Sequence, residues 1–252
     1  MKRVNSIIIT QARIGSKRFP KKILNRINDN SILGIHLYRL KKVSLANNII
    51  VATTKENEVD KIIHETKKHN IQYFKGSTND VLDRFYKVSL IYSPDYIIRV
   101  TSDCPLIDPN LVDKLIDFTV SNKLDYCSNT LTENFPDGQD IEVFKFKCLL
   151  KAWESTTTKS DREHVTPFIK RNSSFYGGKL FKSNSFPSKF NFGDVRMTID
   201  EPEDLNALRF IIDNLGIDSD WKSYTSFIIN NQNKMKNQQI KRGDNYLKID
   251  KN

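Results

Sequence analysis

Near its start the chain reads Ser6-Ile7-Ile8-Ile9-Thr10-Gln11-Ala12-Arg13-Ile14-Gly15-Ser16-Lys17-Arg18-Phe19-Pro20-Lys21-Lys22-Ile23-Leu24. The β-branched run from Ser6 to Thr10 predicts a short buried strand. Five cations follow it, Arg13, Lys17, Arg18, Lys21 and Lys22, with Gly15 and Ser16 among them. A strand that ends in such a loop suits a polyphosphate. Arginine offers a planar fork of donors, lysine a mobile point charge, and glycine a close approach of the backbone. Composition alone also allows a solvated basic turn. The loop lacks the Gly-Lys-Ser/Thr of a Walker A motif and the three spaced glycines of a dinucleotide fingerprint.

Outward from this stretch, strand and helix patterns alternate. Ser31 is a plausible N-cap for a helix over Ile32 to Val43, and Ile49 to Thr54 predicts a second buried strand. Glu56 to His69 is a helix by its apolar spacing, Ile71 to Phe74 a strand, and Val81 to Ile91 a helix. Tyr96 to Thr101 is a fourth strand, and Pro109 opens another helix. Such alternation predicts a parallel sheet with helices on both faces. Ligands in these sheets bind at the carboxyl ends of strands, which points to Arg13, Thr53 and Asp103.

From about Asp125 the rhythm changes. Tyr126–Asn129, Glu142–Phe146, Phe175–Phe181 and Asn191–Ile199 read as strands, and Leu149–Ser155, Arg162–Arg171 and Glu203–Leu215 as helices. We expect one domain over 1–231, an excursion over about 125–190, and a basic polar tail over 232–252.

Bulk properties narrow the function. Hydrophobic residues at 38% with 28% charged fit a globular protein that buries a real core. No apolar run is long enough to span a bilayer, so no membrane partner is expected. The chain enters its first strand almost at once, from which we expect no leader and a cytoplasmic setting. Three widely spaced cysteines, Cys104, Cys127 and Cys148, match no metal or disulfide pattern. The net charge of +10 is spread among acids, and 232–252 carries six Lys/Arg against two Asp. With no nucleic-acid motif present, such a partner is not expected.

Arg13, Ser16, Arg18, Pro20, Lys22 and Leu24 form Ala-Arg-x-x-Ser-x-Arg-x-Pro-x-Lys-x-Leu. That pattern resembles the signature of the cytidylyltransferases that make CMP-activated acidic sugars. The CMP-Kdo and CMP-sialate synthetases belong there, as does the spore-coat polysaccharide branch. The resemblance implies an α/β, Rossmann-like nucleotidyltransferase fold with a mixed, mainly parallel sheet and a small inserted lid or dimerisation subdomain. It also implies a homodimer that uses CTP, a small-molecule acceptor and Mg²⁺.

Two acidic stretches extend the match. Thr101-Ser102-Asp103-Cys104-Pro105-Leu106-Ile107 is similar to the family's Gly-Asp-x-Pro-Leu-Ile, with Ser102 in place of glycine. Asp103 there is a natural Mg²⁺ ligand, since that ion takes one or two carboxylates plus phosphate oxygens and water; a turn residue before Pro105 is the plain alternative. In Asp200-Glu201-Pro202-Glu203-Asp204, Glu203 and Asp204 are explained by a helix dipole. Asp200 matches the family's second metal position. By resemblance Arg13, Lys22, Asp103 and Asp200 are the catalytic set. Ala12, Arg13, Gly15, Ser16, Arg18, Lys22, Thr53, Asp80, Arg84 and Ser102 border the nucleotide, with Thr53 near the base or ribose.

Pro136-Asp137-Gly138-Gln139-Asp140-Ile141-Glu142 and Asp161-Arg162-Glu163-His164 resemble the spore-coat branch. They nominate Gln139, Asp140, Glu142, Arg162, Glu163 and His164 for the acceptor. A capped helix start accounts for 161–164 equally well. Two other functions stand beside this one: a metal-dependent glycosyltransferase of the nucleotide-sugar-binding fold, and a nucleotide-binding protein without turnover.

Overall fold

A computed structural model describes residues 4–16, 18–240 and 242 of the chain. Lys17, one of the loop cations, lies outside the described residues. The first half runs β1 (Ser6–Gln11), a 3-10 turn at Lys22–Leu24, the ribbon β2 (Arg26–Ile27) and β3 (Asn30–Ser31), and α1 (Ile32–Leu40). It continues with β4 (Asn48–Thr53), α2 (Val59–Lys68), β5 (Gln72–Lys75), α3 (Val81–Tyr92), β6 (Tyr96–Thr101) and α4 (Pro109–Ser121). The expected alternation is present, and Ser31 caps α1 by accepting from the Gly34 amide at 2.8 Å.

The second half contributes β7 (Tyr126–Ser128), β8 (Glu142–Lys145), α5 (Phe146–Ser155), α6 (Lys159–His164) and α7 (Pro167–Arg171). After these come β9 (Ser183–Ser185), α8 (Pro202–Leu215) and α9 (Trp221–Asn230). The main sheet has the order β5-β4-β1-β6-β8-β7-β9. Only β8 runs against its neighbours. The excursion over 125–190 therefore feeds three strands into the same sheet.

Strand β1 lies at the centre because it is apolar on both faces. Ile7 and Ile9 pack towards α3 and α5, among Leu82, Phe85, Phe144 and Leu149. Ile8 packs to the other side with Val112, Leu115 and Val143. The chain leaves β1 towards β4 and later returns to its other flank as β6. The carboxyl ends of β1 and β6 thus flank the point where strand order reverses, the usual place for a ligand crevice.

Several expectations need correction. Phe175–Phe181 is a 3-10 turn and loop, and the strand that follows is Ser183–Ser185. Arg162–Arg171 is broken at Val165, whose φ of 71° is strained for a β-branched residue, and α7 restarts with a proline in its first turn. Asn191–Ile199 is no strand: it buries Arg196 and Thr198 as well as Val195, Met197 and Ile199, and its one bridge among the described residues is that of Arg196 to Asp137. Gly138 makes that approach possible: its φ is 106°, and a Cβ there would sit 2.8 Å from the Met197 carbonyl carbon. Helix α9 lies inside the expected domain, but the tail expected from residue 232 starts as packed chain, with Met235 and Asn237 buried.

Candidate active site

The loop after β1 curls back on itself, with the Ser16 and Lys21 amides both donating to the Ile14 carbonyl. The Gly15 amide reaches Glu56 Oε2 at 3.4 Å, and the Glu56 carboxylate lies 3.2 Å from where a Gly15 Cβ would be. Ala12 is buried and donates its amide to Ala52, while Arg13 and Arg18 are exposed at the mouth of the crevice. Arg18 bonds Glu201 at 2.9 Å and lies 3.3 Å from Asp200. Arg13 reaches Glu163 at 3.4 Å.

Lys22 enters the crevice from the 3-10 turn. Its ammonium donates to Asp103 Oδ2 at 2.9 Å, Asp200 Oδ1 at 2.6 Å and the Ile199 carbonyl at 2.8 Å. Two carboxylates far apart in sequence thus meet around the Lys22 ammonium. Burial opposes the charge on Lys22, but Asp103 and Asp200 outweigh it and hold the ammonium protonated well above its ordinary range. Burial likewise pushes Asp103 up, yet Lys22 and the Thr101 hydroxyl pull it down to about 2. Ser102 is buried in this turn without a positive φ, so serine replaces glycine at no backbone cost.

Beneath the turn, His36 ties the two strands together. It lies 2.9 Å from the Thr10 hydroxyl and 2.9 Å from the Cys104 carbonyl. Burial lowers its pKa to about 4, so the ring is neutral, and with Nδ1 donating to the carbonyl, Nε2 accepts from Thr10. Sequence reading did not single it out.

At the ends of β1 and β4 three buried polar groups have atoms without a protein partner: Gln11 Oε1, Thr53 Oγ1, and Nε and Nη1 of Arg84. Folded proteins rarely leave such groups unsatisfied unless something else completes them. Burial and the nearby Arg13 push the Arg84 guanidinium down to about 10, against Glu56 and Asp80. Asp80 caps α3 through the Asp83 amide at 2.8 Å and holds Arg162 at 2.8 Å. Arg162 also lies over the Trp153 ring.

On the far side of the crevice Glu142 is almost fully buried. It accepts from Arg99 at 2.5 Å and the Tyr126 hydroxyl at 2.8 Å, with Lys170 at 3.2 Å. Burial would raise its pKa, but Lys170, Arg99, Tyr126 and Thr166 together bring it to about 2. His164 precedes the strained Val165, and burial pushes its pKa below the ordinary value. Arg162, Glu163 and His164 therefore form a charged wall that Arg13 of the loop meets at Glu163, and Glu142 is buried behind it with its oxygens taken by Arg99, Tyr126 and Lys170.

Gln139 is not part of that wall. It is fully buried, accepting from the Asp108 amide at 2.9 Å and donating to the Leu106 carbonyl at 2.8 Å. Both ends of its amide are used inside the fold, which corrects its nomination for the acceptor. Asp140 faces Arg242 at 2.5 Å. Sequence reading also passed over Arg196, whose fork is held by Asp204 and Asp137.

The arrangement suits charge neutralisation more than covalent catalysis. The three cysteines are buried, and burial pushes Cys127 and Cys148 up to about 12 and Cys104 well above its ordinary value. A divalent cation fits the donor set: two carboxylates and a carbonyl already surround the Lys22 ammonium as a stand-in cation. Among the described residues no group of three acidic, His or Cys side chains gathers for a metal, here or elsewhere. Two carboxylates are enough for Mg²⁺, which keeps its waters and shares a substrate's phosphates.

The profile of the cytidylyltransferase family matches residues 7–238. The chain belongs to that family. This cytidylyltransferase is 42% identical to an uncharacterized protein of Methanocaldococcus jannaschii over 196 residues, 78% of each chain. It is 30% identical to the spore coat polysaccharide biosynthesis protein SpsF of Bacillus subtilis, covering 83% of this chain and 87% of that one. A solved cytidylyltransferase from Leptospira borgpetersenii superposes with a TM-score of 0.87 at 32% identity, over 94% of this chain and 99% of that one. The fold is also that of a CMP-2-keto-3-deoxy-manno-octonic acid synthetase solved with CTP, at a TM-score of 0.62 and 16% identity, covering 83% of this chain and 99% of that one. The protein is thus a nucleotidyltransferase, and the glycosyltransferase and non-catalytic readings fall away. Among the described residues no helix is long and apolar enough to cross a membrane.

Proposed function

We propose that this cytidylyltransferase transfers CMP from CTP to the hydroxyl of a sugar acceptor, in the cytoplasm, for surface polysaccharide or glycan synthesis. The acceptor oxygen forms a bond to the α-phosphorus as the bond to the bridging oxygen breaks. Pyrophosphate leaves with that electron pair, and the acceptor proton passes to solvent or a nearby base. The convergence of Lys22, Asp103 and Asp200 beside the cationic loop carries this reading. Arg13, Arg18 and Lys22 are the groups for the β- and γ-phosphates and the leaving pyrophosphate. Gln11, Thr53 and Arg84 offer unpaired polar atoms for the base and ribose. Asp103 and Asp200 would hold Mg²⁺, which supplies charge neutralisation on phosphate oxygens when bound.

The acceptor is assigned to the wall of Arg162, Glu163 and His164 in front of Glu142, and the family's acidic-sugar synthetases make an acidic sugar the expected acceptor. We infer a homodimer too, with the segment over 125–190 at its contact. Phe175, Tyr176 and Leu180 leave apolar surface exposed there. Light scattering would give the mass of a dimer or overturn that assignment.

Titration calorimetry with CTP, UTP, ATP and GTP in Mg²⁺ tests nucleotide choice. CTP is expected to bind at least about tenfold more tightly than the others, the value of one good polar discrimination. Equal binding of all four, or none, would overturn the reading.

A further inference from the structure

By composition, the segment from Gln232 onward is a polar tail, yet it is locked to the acidic end of the crevice. Gln238 accepts from the Arg196 amide at 2.9 Å and donates to the Arg196 carbonyl at 2.7 Å. One side chain therefore takes both backbone groups of Arg196, as a neighbouring strand would. Asn237, fully buried, donates to Asp204 Oδ1 at 3.1 Å. The Arg196 fork meets both Asp204 oxygens, at 2.8 and 2.7 Å. Asp204 Oδ2 in turn accepts the amides of Asp200 at 2.8 Å and Glu201 at 2.9 Å. Arg242 closes the strap on the Phe135 carbonyl and Asp140.

We propose that Asn237 and Gln238 are positioning residues for nucleotidyl transfer. They clamp Arg196 and Asp204, and these fix the backbone from which the Asp200 carboxylate projects. The proposal rests on the reading of Asp200 as a metal ligand. Its physical basis is that, among the described residues, Gln238 alone bonds the backbone of Arg196. The segment leading to Asp200 has no strand ladder: besides the bridge of Arg196 to Asp137, the Ile199 amide and the Thr198 hydroxyl each hold the Asp103 carbonyl at 2.9 Å, and Arg196 lies between these fixed points. Without Gln238 both backbone groups of Arg196 lose their partner. Without Asn237 one Asp204 oxygen loses a donor. Either change loosens the direction of Asp200 and, through it, only the contacts of Asp200 to Lys22 and Arg18, leaving the other loop groups and Gln11, Thr53 and Arg84 in place.

The test uses Asn237→Ala and Gln238→Ala in the full chain, with CTP affinity measured by calorimetry in EDTA and in Mg²⁺. The ratio of the two dissociation constants isolates the metal-dependent part of binding. Affinity in EDTA is expected to stay within about twofold of the parent, while the gain from Mg²⁺ falls by about 10-fold, the usual cost of losing an outer partner of a metal ligand. Turnover should fall with that gain while KM for the acceptor holds.

Variants with the parent's full Mg²⁺ gain would overturn the strap. Equal weakening in EDTA and in Mg²⁺ would also overturn it, since a diffuse structural loss acts on both. A parent that gains nothing from Mg²⁺ would overturn the Asp200 reading itself, and the strap with it. Gln238→Met keeps the side-chain bulk and removes both hydrogen bonds to Arg196. It is expected to match Gln238→Ala, and serves if that variant does not fold.

Discussion

Lys22→Ala separates the two roles of this lysine, as the cation between Asp103 and Asp200 and as a phosphate contact. Removing one partner of a buried ion pair costs about 3–5 kcal/mol, because the other charge is left stranded. Here the Lys22 side chain is 13% exposed and its partners 27% and 22%. Water reaches the carboxylates, and we expect about 2–3 kcal/mol. At this chain length that is a fall in Tm of about 5–10 °C. The variant should then respond to Mg²⁺ as the parent does not. A divalent ion with Kd on the order of 1 mM, supplied at tenfold excess, restores about 1.4 kcal/mol, or about 4 °C. In the parent Lys22 already fills the place, and the gain should be about 1 °C or less. The assay is a thermal melt with and without Mg²⁺, with ionic strength matched by NaCl. Equal Mg²⁺ gains in parent and variant, or a variant that loses no stability, would refute the reasoning.

Arg84→Met removes a guanidinium with two unpaired buried donors. Stability is expected to hold or rise by about 1 kcal/mol, while CTP affinity falls by about 10- to 100-fold, the worth of one or two charged hydrogen bonds. Melting and calorimetry read the two effects, and a loss of stability with unchanged CTP affinity would contradict this. Lys22→Ala should weaken CTP by a similar factor and leave CMP within about twofold, since the lysine is assigned to the outer phosphates. Glu142 has its pKa depressed from 4.5 to about 2. Its stabilisation is therefore complete above pH 4.5 and lost as pH falls towards 2, worth about 3 kcal/mol. Urea unfolding across that window should be steep for the parent and flatter for Glu142→Gln; identical profiles would remove Glu142 as the cause.

What could be read in the sequence were features written in local periodicity. The β-branched runs of β1, β4 and β6, the cap at Ser31 and the proline that opens α4 each predict their own element. The signature loop and the two acidic stretches then name Lys22, Asp103 and Asp200. What stayed hidden depends on partners distant in sequence. Asn191–Ile199 alternates like a strand, but the backbone of Arg196 is taken by the Gln238 side chain. A side chain standing in for a strand leaves no periodic trace. Gln139 sits in a stretch that resembles the spore-coat branch, and only its burial shows that both ends are spent inside the fold. Asp220 does cap α9, accepting from the Ser223 amide at 2.7 Å, but the Asn- and Lys-rich context masked that signal.

The most direct test of nucleotidyl transfer is phosphorus NMR of the full-length protein with CTP, Mg²⁺ and a panel of acidic-sugar acceptors. We expect CTP to be consumed with one acceptor, giving equal amounts of pyrophosphate and a CMP phosphodiester. Asp103→Ala should remove that turnover. Cleavage of CTP to CDP and phosphate, or turnover that Asp103→Ala leaves intact, would contradict the account.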